Sequence, residues 1–305
     1  MQNIQFTNKS PFFVKSTDES VFMTDLGVAA VENIKKSYTL KCLSGVSPHK
    51  FYTIQEVSSF LDYYKATTRT YKNLPLLLET QNQNSLLWHI FYDLNSVDFL
   101  INVLHKTISW YESIGCKVSK VVLNEQFKSL LEEDLKHITQ EQSTLPPQVA
   151  VQCTLVIGEV SLEVNVLEEV TTQEKIDFMT KEGIRIRPGV YKLEVFKDLA
   201  YLLSLLAIHY SNTLPSEISP IKAVVLSVSE KWEQLASLVA LKINASVDNS
   251  SDAVGKKIRY WKSLGCPAIY VVGEKDMKEL CETGKITLMK NSINSVMEPE
   301  VIAFI

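Results

Sequence analysis

The sequence lacks three features that would identify a function directly. Its five cysteines lie far apart, with no two at the spacing of metal ligands, which argues against a zinc site and favours a reducing compartment. No apolar run approaches the roughly 18 residues that a membrane-spanning helix needs, so we expect a soluble chain. Lys and Arg total 31 against 35 Asp and Glu, so nucleic acid or anionic lipid would have to bind at a local basic patch.

Motifs of targeting and catalysis are also missing. The first residues, MQNIQFTNKS, have neither the pattern of a transit peptide nor that of a secretory signal. We therefore expect that the protein has no targeting signal or that the signal has been removed. The sequence contains no GxxxxGK[ST] phosphate loop and no GxSxG nucleophile motif. We interpret His89 and His209 as structural residues and Cys153 as a packing residue. No catalytic residue, metal ligand or cofactor is predicted.

Hydrophobic periodicity predicts an α+β arrangement for the first two thirds of the chain. Two β-branched runs separated by Gly158 and Glu159 predict an antiparallel hairpin. The polar segment 124–147 is interpreted as an exposed helical excursion or an insertion. The predicted helices are 51–64, 97–114 and 193–209, and the predicted strands are 74–78, 116–123, 149–157 and 160–167.

The last third of the chain has a different pattern. Pro215 and Pro220 lie in a polar stretch and indicate a domain boundary. After them strands and helices alternate, which is typical of a small α/β domain, here expected around a mixed sheet. The predicted strands are 223–228, 246–249, 268–272 and 285–289, and the predicted helices are 230–244 and 253–264. We therefore predict two domains, 1–215 and 216–305.

The stretch DAVGKKIRYWKSLGCPAIYVVGEKDM, residues 252–277, carries a family resemblance. Together with SPIKAVVLSVSEK at 219–231 and GKITL at 284–288, it resembles the anticodon-binding domain of class II aminoacyl-tRNA synthetases of the prolyl, threonyl, histidyl and glycyl group. In that domain Gly255 would begin the second helix. Gly265 and Pro267 would end it and lead into a buried strand.

The resemblance extends more faintly upstream, into the catalytic domain of the prolyl and threonyl enzymes. TYKNLPLLLETQNQ at 70–83 is similar to the lead into motif two, and LLWHIFYDLNSVDFL resembles the strand and helix after it. GVYKLEVFKDLAYLLSLLAIHYSNTLP at 189–215 falls where motif three would be. The resemblance implies an α+β class II synthetase-like domain with an antiparallel sheet, followed by a small α/β anticodon-binding-like domain.

The catalytic arginines of that family are missing from the matching positions. Class II synthetases use a motif-two and a motif-three arginine to stabilise the phosphates of ATP. No Arg occurs between Arg69 and Arg185, the interval that contains the motif-two region. At motif three the residue is Lys192, which keeps the charge without the bidentate guanidinium. Glu194 is nearby, without a second carboxylate to support it as a magnesium ligand. The resemblance therefore implies a chain that has lost adenylation.

Two groups of residues are candidates for binding nucleic acid or a partner. The first group is Lys256, Lys257, Arg259, Tyr260 and Lys262. Helical spacing brings most of it to one surface, where cations would contact phosphates and an aromatic ring would stack on a base. A solvated helix face is the alternative. The second group is Arg185, Arg187 and Lys192, where the synthetase active site would open, with a charged edge strand as the alternative.

Three functions remain open at this point. The favoured one, on the lost arginines and the absence of a clear motif-one dimer helix, is an accessory subunit resembling that of mitochondrial DNA polymerases. It would bind the polymerase catalytic subunit and DNA, and implies a mitochondrial location. The alternatives are a tRNA-binding or regulatory paralogue of prolyl-tRNA synthetase, with a cytoplasmic location open, and a divergent active synthetase. A homodimer is the family default, and no membrane partner is expected.

Overall fold

The computed structural model describes residues 10–18, 20–44, 49–51, 74–80, 85–92, 97–131, 145–170, 178–179, 183, 185–186, 188–290 and 298–303. Its contacts divide the chain into two compact units, one formed by 1–34 with 203–305 and the other by 35–202. The predicted helix over 51–64 lies outside the described residues except for Phe51, which ends a strand. The predicted domain boundary after residue 215 stays a prediction.

The secondary structure follows the chain in this order. The strands are β1 (Phe13–Lys15), β2 (Val21–Met23), β3 (His49–Phe51), β4 (Leu76–Thr80), β5 (Leu86–Tyr92), β6 (Lys117–Leu123), β7 (Val149–Ile157), β8 (Val160–Glu169), β9 (Phe178–Met179), β10 (Arg185–Ile186), β11 (Gly189–Phe196), β12 (Val224–Ser227), β13 (Ser246–Asp248), β14 (Ile269–Val272), β15 (Lys285–Lys290) and β16 (Glu298–Ala303). The helices are α1 (Asp25–Cys42), α2 (Val97–Ser113), α3 (Glu125–Leu131), α4 (Leu199–His209), α5 (Glu233–Ile243), α6 (Val254–Ser263) and α7 (Glu274–Thr283). None of the helices in the described ranges has the length and apolarity that crossing a bilayer requires.

The 35–202 unit is built on one seven-stranded sheet in the order β3-β4-β5-β11-β8-β7-β6. Its pairs are antiparallel except β3 with β4, which run parallel. This confirms the predicted antiparallel sheet and the hairpin formed by β7 and β8. In the core of the unit the Tyr38 ring stacks on Trp88 at 5.0 Å, and its hydroxyl shares a 2.8 Å hydrogen bond with Thr107. The Tyr38 hydroxyl is therefore satisfied internally, whereas the buried indole N–H of Trp88 has no hydrogen-bond partner within the described residues.

The predicted helix over 193–209 is wrong in its first third. Residues up to Phe196 belong to β11, which pairs with β5 on one side and β8 on the other. The buried side chains Tyr191, Leu193 and Val195 alternate along it, as expected of a strand with one core face. The helix begins only after Asp198, whose carboxylate accepts a 3.0 Å hydrogen bond from the backbone N–H of Tyr201 as an N-cap does.

The C-terminal part contains two small sheets. The parallel strands β13, β12 and β14 form the first, in that order, and β15 pairs with β16 to form an antiparallel hairpin. The sequence predicts one mixed sheet here. In the structure the parallel strands form one sheet and the antiparallel pair forms another. The buried residues Val225, Tyr270 and Ile286 belong to one apolar core beneath them. The helix α7 and the strand β16 are additional to the predicted elements.

Candidate functional site

The carboxyl ends of β12 and β13 are joined by a buried lysine. Lys257, in the second turn of α6, is only 3% exposed. Its ammonium donates hydrogen bonds of 3.3 Å to the backbone carbonyls of Ser227 and Asp248, the last residues of the two strands. The sequence prediction places Lys257 among the binding residues, but its charge points at two carbonyl groups. It holds the strand ends together, and almost all of the residue is shielded from bulk solvent.

Asp248 is held in a fixed orientation beside that lysine. One carboxylate oxygen accepts a 2.6 Å hydrogen bond from the indole N–H of Trp261, and the other accepts a 2.9 Å bond from the backbone N–H of Ser250. Partial burial opposes the charged form, but these hydrogen bonds and the charge of Lys257 lower the pKa of Asp248. The carboxylate is therefore ionised at neutral pH.

A pocket of ≈ 330 Å³ opens at this point of the fold. It is lined by Val247, Asp248, Asn249, Ser250, Asp252, Lys257, Tyr260 and Trp261. Tyr260 is 56% exposed, and its ring meets Trp261 edge-on with 5.6 Å between ring centroids. The pocket thus combines an ionised carboxylate, a buried ammonium and an exposed aromatic ring.

The outer face of α6 carries three cations, Lys256, Arg259 and Lys262, which we call the basic ridge. Lys256 and Arg259 are exposed and Lys262 is half-buried. Lys256 forms a 2.8 Å ion pair with Asp252 one turn earlier, and both partners are largely exposed. Arg259 has no ion pair within the described ranges, so its guanidinium is available to a ligand. The predicted surface of Lys256, Arg259 and Tyr260 is present.

A substitution of Lys257 distinguishes its role from that of the ridge. Lys257→Met keeps the length of the side chain but removes the donors to two carbonyls, and we expect it to lower the free energy of unfolding by roughly 2 kcal/mol. Lys256→Met, on the same helix, loses only an exposed ion pair and should change stability by less than about 1 kcal/mol. Chemical denaturation followed by circular dichroism measures both. Equal effects of the two variants would contradict the structural role of Lys257.

In the 35–202 unit, Lys192 of β11 forms ion pairs with two carboxylates. Its ammonium lies 2.6 Å from Glu194 and 3.1 Å from Glu168 of the neighbouring strand β8. Burial opposes the charge, but the hydrogen bonds to the two glutamates outweigh it and raise the pKa of Lys192. The lysine is therefore charged, and its charge is matched by two carboxylates.

A chain of polar groups continues from Lys192 across the same sheet. Glu168 accepts a 3.0 Å hydrogen bond from the amide of Asn165, whose oxygen accepts a 2.9 Å bond from Gln152 of β7. On the other side, His89 of β5 stands opposite Lys192 in the register. Burial, and secondarily the charge of Lys192, lowers the pKa of His89 to about 4. His89 is therefore a neutral buried residue, in agreement with its structural interpretation.

Arg185, the other described residue of the second candidate group, lies on a different sheet from Lys192. Arg185 is exposed on the two-residue strand β10, which pairs with β9, and Arg187 lies outside the described residues. Within the described parts of the chain, no three His, Cys, Asp or Glu side chains cluster as metal ligands. Cys153 is buried, and burial raises the pKa of its thiol to about 12, as suits a packing residue.

The C-terminal part of the chain is similar in sequence to known proteins. Residues 222–292 match the family model described as the anticodon binding domain. The threonine–tRNA ligase catalytic subunit of Sulfurisphaera tokodaii is 27% identical over 119 residues, which make up 37% of this chain and 21% of the relative. The threonine–tRNA ligase of Gloeobacter violaceus is 29% identical over 107 residues, 33% of this chain and 17% of the relative. The match thus spans about a fifth of each relative.

Solved structures extend the similarity to the whole chain. The RNA binding domain of threonyl-tRNA synthetase from Cryptosporidium parvum Iowa II superposes with a TM-score of 0.66 at 15% identity, covering 98% of this chain and 92% of that one. Prolyl-tRNA synthetase of Cryptosporidium parvum gives a TM-score of 0.57 at 12% identity, covering 93% of this chain and 71% of that one. These likenesses confirm the predicted fold class, an antiparallel synthetase-like domain followed by an anticodon-binding-like α/β domain.

Proposed function

We propose that this chain, a class II aminoacyl-tRNA synthetase-like protein with an anticodon-binding domain, binds tRNA and does not activate an amino acid. The observation that carries the proposal is the basic ridge on α6, within the segment that matches the anticodon binding domain. The matched curated relatives are threonine–tRNA ligases. Their similarity favours RNA over DNA as the ligand.

The chemistry of the ridge suits a phosphate backbone. Arg259 and Lys256 are exposed, and the salt-dependent release of counterions that phosphate contacts produce would supply much of the affinity. The chain as a whole has a net charge of −4, so the attraction has to be local. Tyr260, on the same helix and at the edge of the pocket, adds an exposed ring on which a base can stack.

The surroundings of Lys192 support the absence of adenylation. This lysine stands where the resemblance requires the motif-three arginine, which would face the triphosphate. With Glu168 and Glu194 beside it, the local group carries two carboxylates and one ammonium. A net negative group of this kind repels ATP phosphates instead of stabilising them. The divergent active synthetase is therefore the least supported of the three functions.

An accessory subunit of a mitochondrial DNA polymerase is the second candidate. The pairing of Lys192 with two glutamates favours any non-catalytic role, and the basic ridge could contact DNA phosphates as well as those of RNA. For this candidate, the partner would be the polymerase catalytic subunit and the location would be mitochondrial. The similarity to tRNA ligases makes it secondary to tRNA binding.

The test is a binding experiment paired with an activity assay. We expect the purified chain to bind a bulk tRNA pool more tightly than a primer–template DNA of equal charge, with affinity that falls as salt is raised. Fluorescence anisotropy at two salt concentrations measures this. ATP–pyrophosphate exchange with threonine or proline should stay at background. Exchange above background would refute the loss of adenylation, and a preference for primer–template would favour the polymerase subunit.

A further inference from the structure

The helix α6 ends in a turn with a left-handed residue. Gly265 has a φ of 74°, and its backbone N–H donates a 3.0 Å hydrogen bond to the carbonyl of Lys262. The N–H of Cys266 donates a 3.1 Å bond to the carbonyl of Trp261, which completes a Schellman motif. The motif therefore holds the last turn of the helix, the turn that carries Lys262 of the basic ridge.

A second left-handed turn lies directly against this one. The helix α4 is followed by Ser211 and Asn212, which have φ values of 49° and 67°, and the N–H of Asn212 donates a 2.6 Å hydrogen bond to the carbonyl of Ala207. A Cβ at Gly265 would overlap the carbonyl oxygen of Asn212. The two turns are therefore in backbone contact, which any side chain at residue 265 would prevent.

The N-terminal segment completes this junction. Phe12 is only 1% exposed, and the tip of its ring lies 3.7 Å from the position that a Cβ of Gly265 would take. The carbonyl of Phe12 accepts a 3.0 Å hydrogen bond from the N–H of Thr24, and a Cβ at Gly27 would overlap it. The start of α1 therefore fixes the backbone of Phe12, whose ring packs at the turn after α6. We call Phe12, Asn212 and Gly265 the α6 anchor.

A second contact ties α1 to the segment that leads into β12. The amide of Asn33 donates a 2.9 Å hydrogen bond to the carbonyl of Ser219, a residue 186 positions later in the chain. The Ser219 hydroxyl in turn donates a 2.7 Å bond to the carbonyl of Ile221. Both contacts join the beginning of the chain to the part that resembles an anticodon-binding domain, and neither is contained in the segment 222–292 that matches the family model.

We propose that the α6 anchor positions the basic ridge, which makes Phe12 a positioning residue of the RNA-binding surface. The ring of Phe12 holds the turn after α6, and that turn holds the end of the helix on which the cations lie. A helix that is already ordered loses less conformational freedom when its cations meet phosphates, so the anchor raises affinity by preorganisation. The proposal rests on the proposed RNA binding and adds the N-terminal segment to it.

Hydrogen–deuterium exchange of the full chain tests the anchor without any RNA. We expect Phe12→Leu to make exchange of the backbone amides at 260–266 roughly tenfold faster, because the end of α6 opens more often when its packing is reduced. Phe127→Leu makes the same truncation at a phenylalanine of the 35–202 unit that is also 1% exposed, and should leave these amides unchanged. Equal exchange at 260–266 in the two variants would overturn the anchor.

Fluorescence anisotropy with a bulk tRNA pool measures the consequence for binding. Phe12→Leu should weaken binding roughly fivefold and lower the slope of log affinity against log salt, because the ridge meets fewer phosphates at once. Phe127→Leu should bind as the wild type does. A purely structural role of Phe12 would lower the folded fraction and leave the salt slope at the wild-type value, which would refute the positioning role.

The wild-type chain provides a test that needs no variant. Coupling between two sites is reciprocal, so if the anchor favours RNA binding, bound tRNA should slow the exchange of the amides around Phe12 and Gly265. Mass-spectrometric exchange with and without saturating tRNA measures this. Unchanged exchange around Phe12 with tRNA bound would overturn the proposal.

The two proposals fail in different ways. If wild type and Phe12→Leu bind tRNA with equal affinity and equal salt slope, the anchor does not position the ridge and the RNA-binding function stands. If Phe12→Leu speeds exchange at 260–266 and the wild type does not bind tRNA, the anchor stands as the contact that orders α6 and the proposed function is wrong.

Discussion

Replacement of Lys256, Arg259 and Lys262 by glutamate is expected to weaken tRNA binding at least roughly a hundredfold, because three phosphate contacts become repulsions. Each lost contact should also lower the slope of log affinity against log salt by about 1. The three reversals change the net charge by six, from −4 to −10, so a general electrostatic effect has to be separated from a local one. Lys257 is left unchanged because it is buried.

A control of equal charge makes that separation. Lys222, Lys242 and Lys285 are exposed in the same unit and lie off α6. Their triple replacement by glutamate gives the same net charge, and we expect it to reduce affinity far less. Anisotropy titrations of both variants at several salt concentrations compare them directly. If the control weakens binding as much as the ridge variant does, the ridge is not the interface.

Sequence periodicity predicted the ridge but not the role of its neighbour. The 3.6-residue repeat brings Lys256, Arg259 and Tyr260 to one face of α6 from spacing alone. The environment of Lys257 depends on two carbonyls supplied by strands 9 and 30 residues away, which no local pattern contains. The geometry of the pocket also depends on contacts that no local pattern contains. Its fixed carboxylate arises from the contact between Asp248 and Trp261, which are 13 residues apart.

The errors in the predicted elements have similar causes. The buried strand β11 and the apolar helix α4 follow one another closely, and their apolar residues merged into one predicted helix. The cap at Asp198 marks the true start. The helix α7 was missed because it is short and mostly polar. Its start is nonetheless indicated by the backbone N–H of Gly273, which donates a 2.8 Å hydrogen bond to Asp276 three residues later.

The second large effect concerns the pH dependence of stability in the 35–202 unit. The pKa of His89 is lowered from 6.5 to about 4 by burial and by the charge of Lys192. Between these two values the unfolded chain binds a proton at this residue and the folded chain does not. Stability from His89 is therefore fully present above pH 6.5 and is lost as the pH falls towards 4. The shift corresponds to roughly 3 kcal/mol.

We therefore expect the free energy of unfolding to fall more steeply between pH 6.5 and 4 for the wild type than for His89→Gln, which has no titrating group at this position. Urea denaturation at several pH values measures both slopes. Carboxylates with lowered pKa, such as Asp248, act equally in the two proteins and cancel in the difference. Lys192→Gln should raise the pKa of His89, which the imidazole NMR titration reports, because it removes the nearby positive charge. Parallel stability curves for wild type and His89→Gln would show that burial does not hold this histidine neutral.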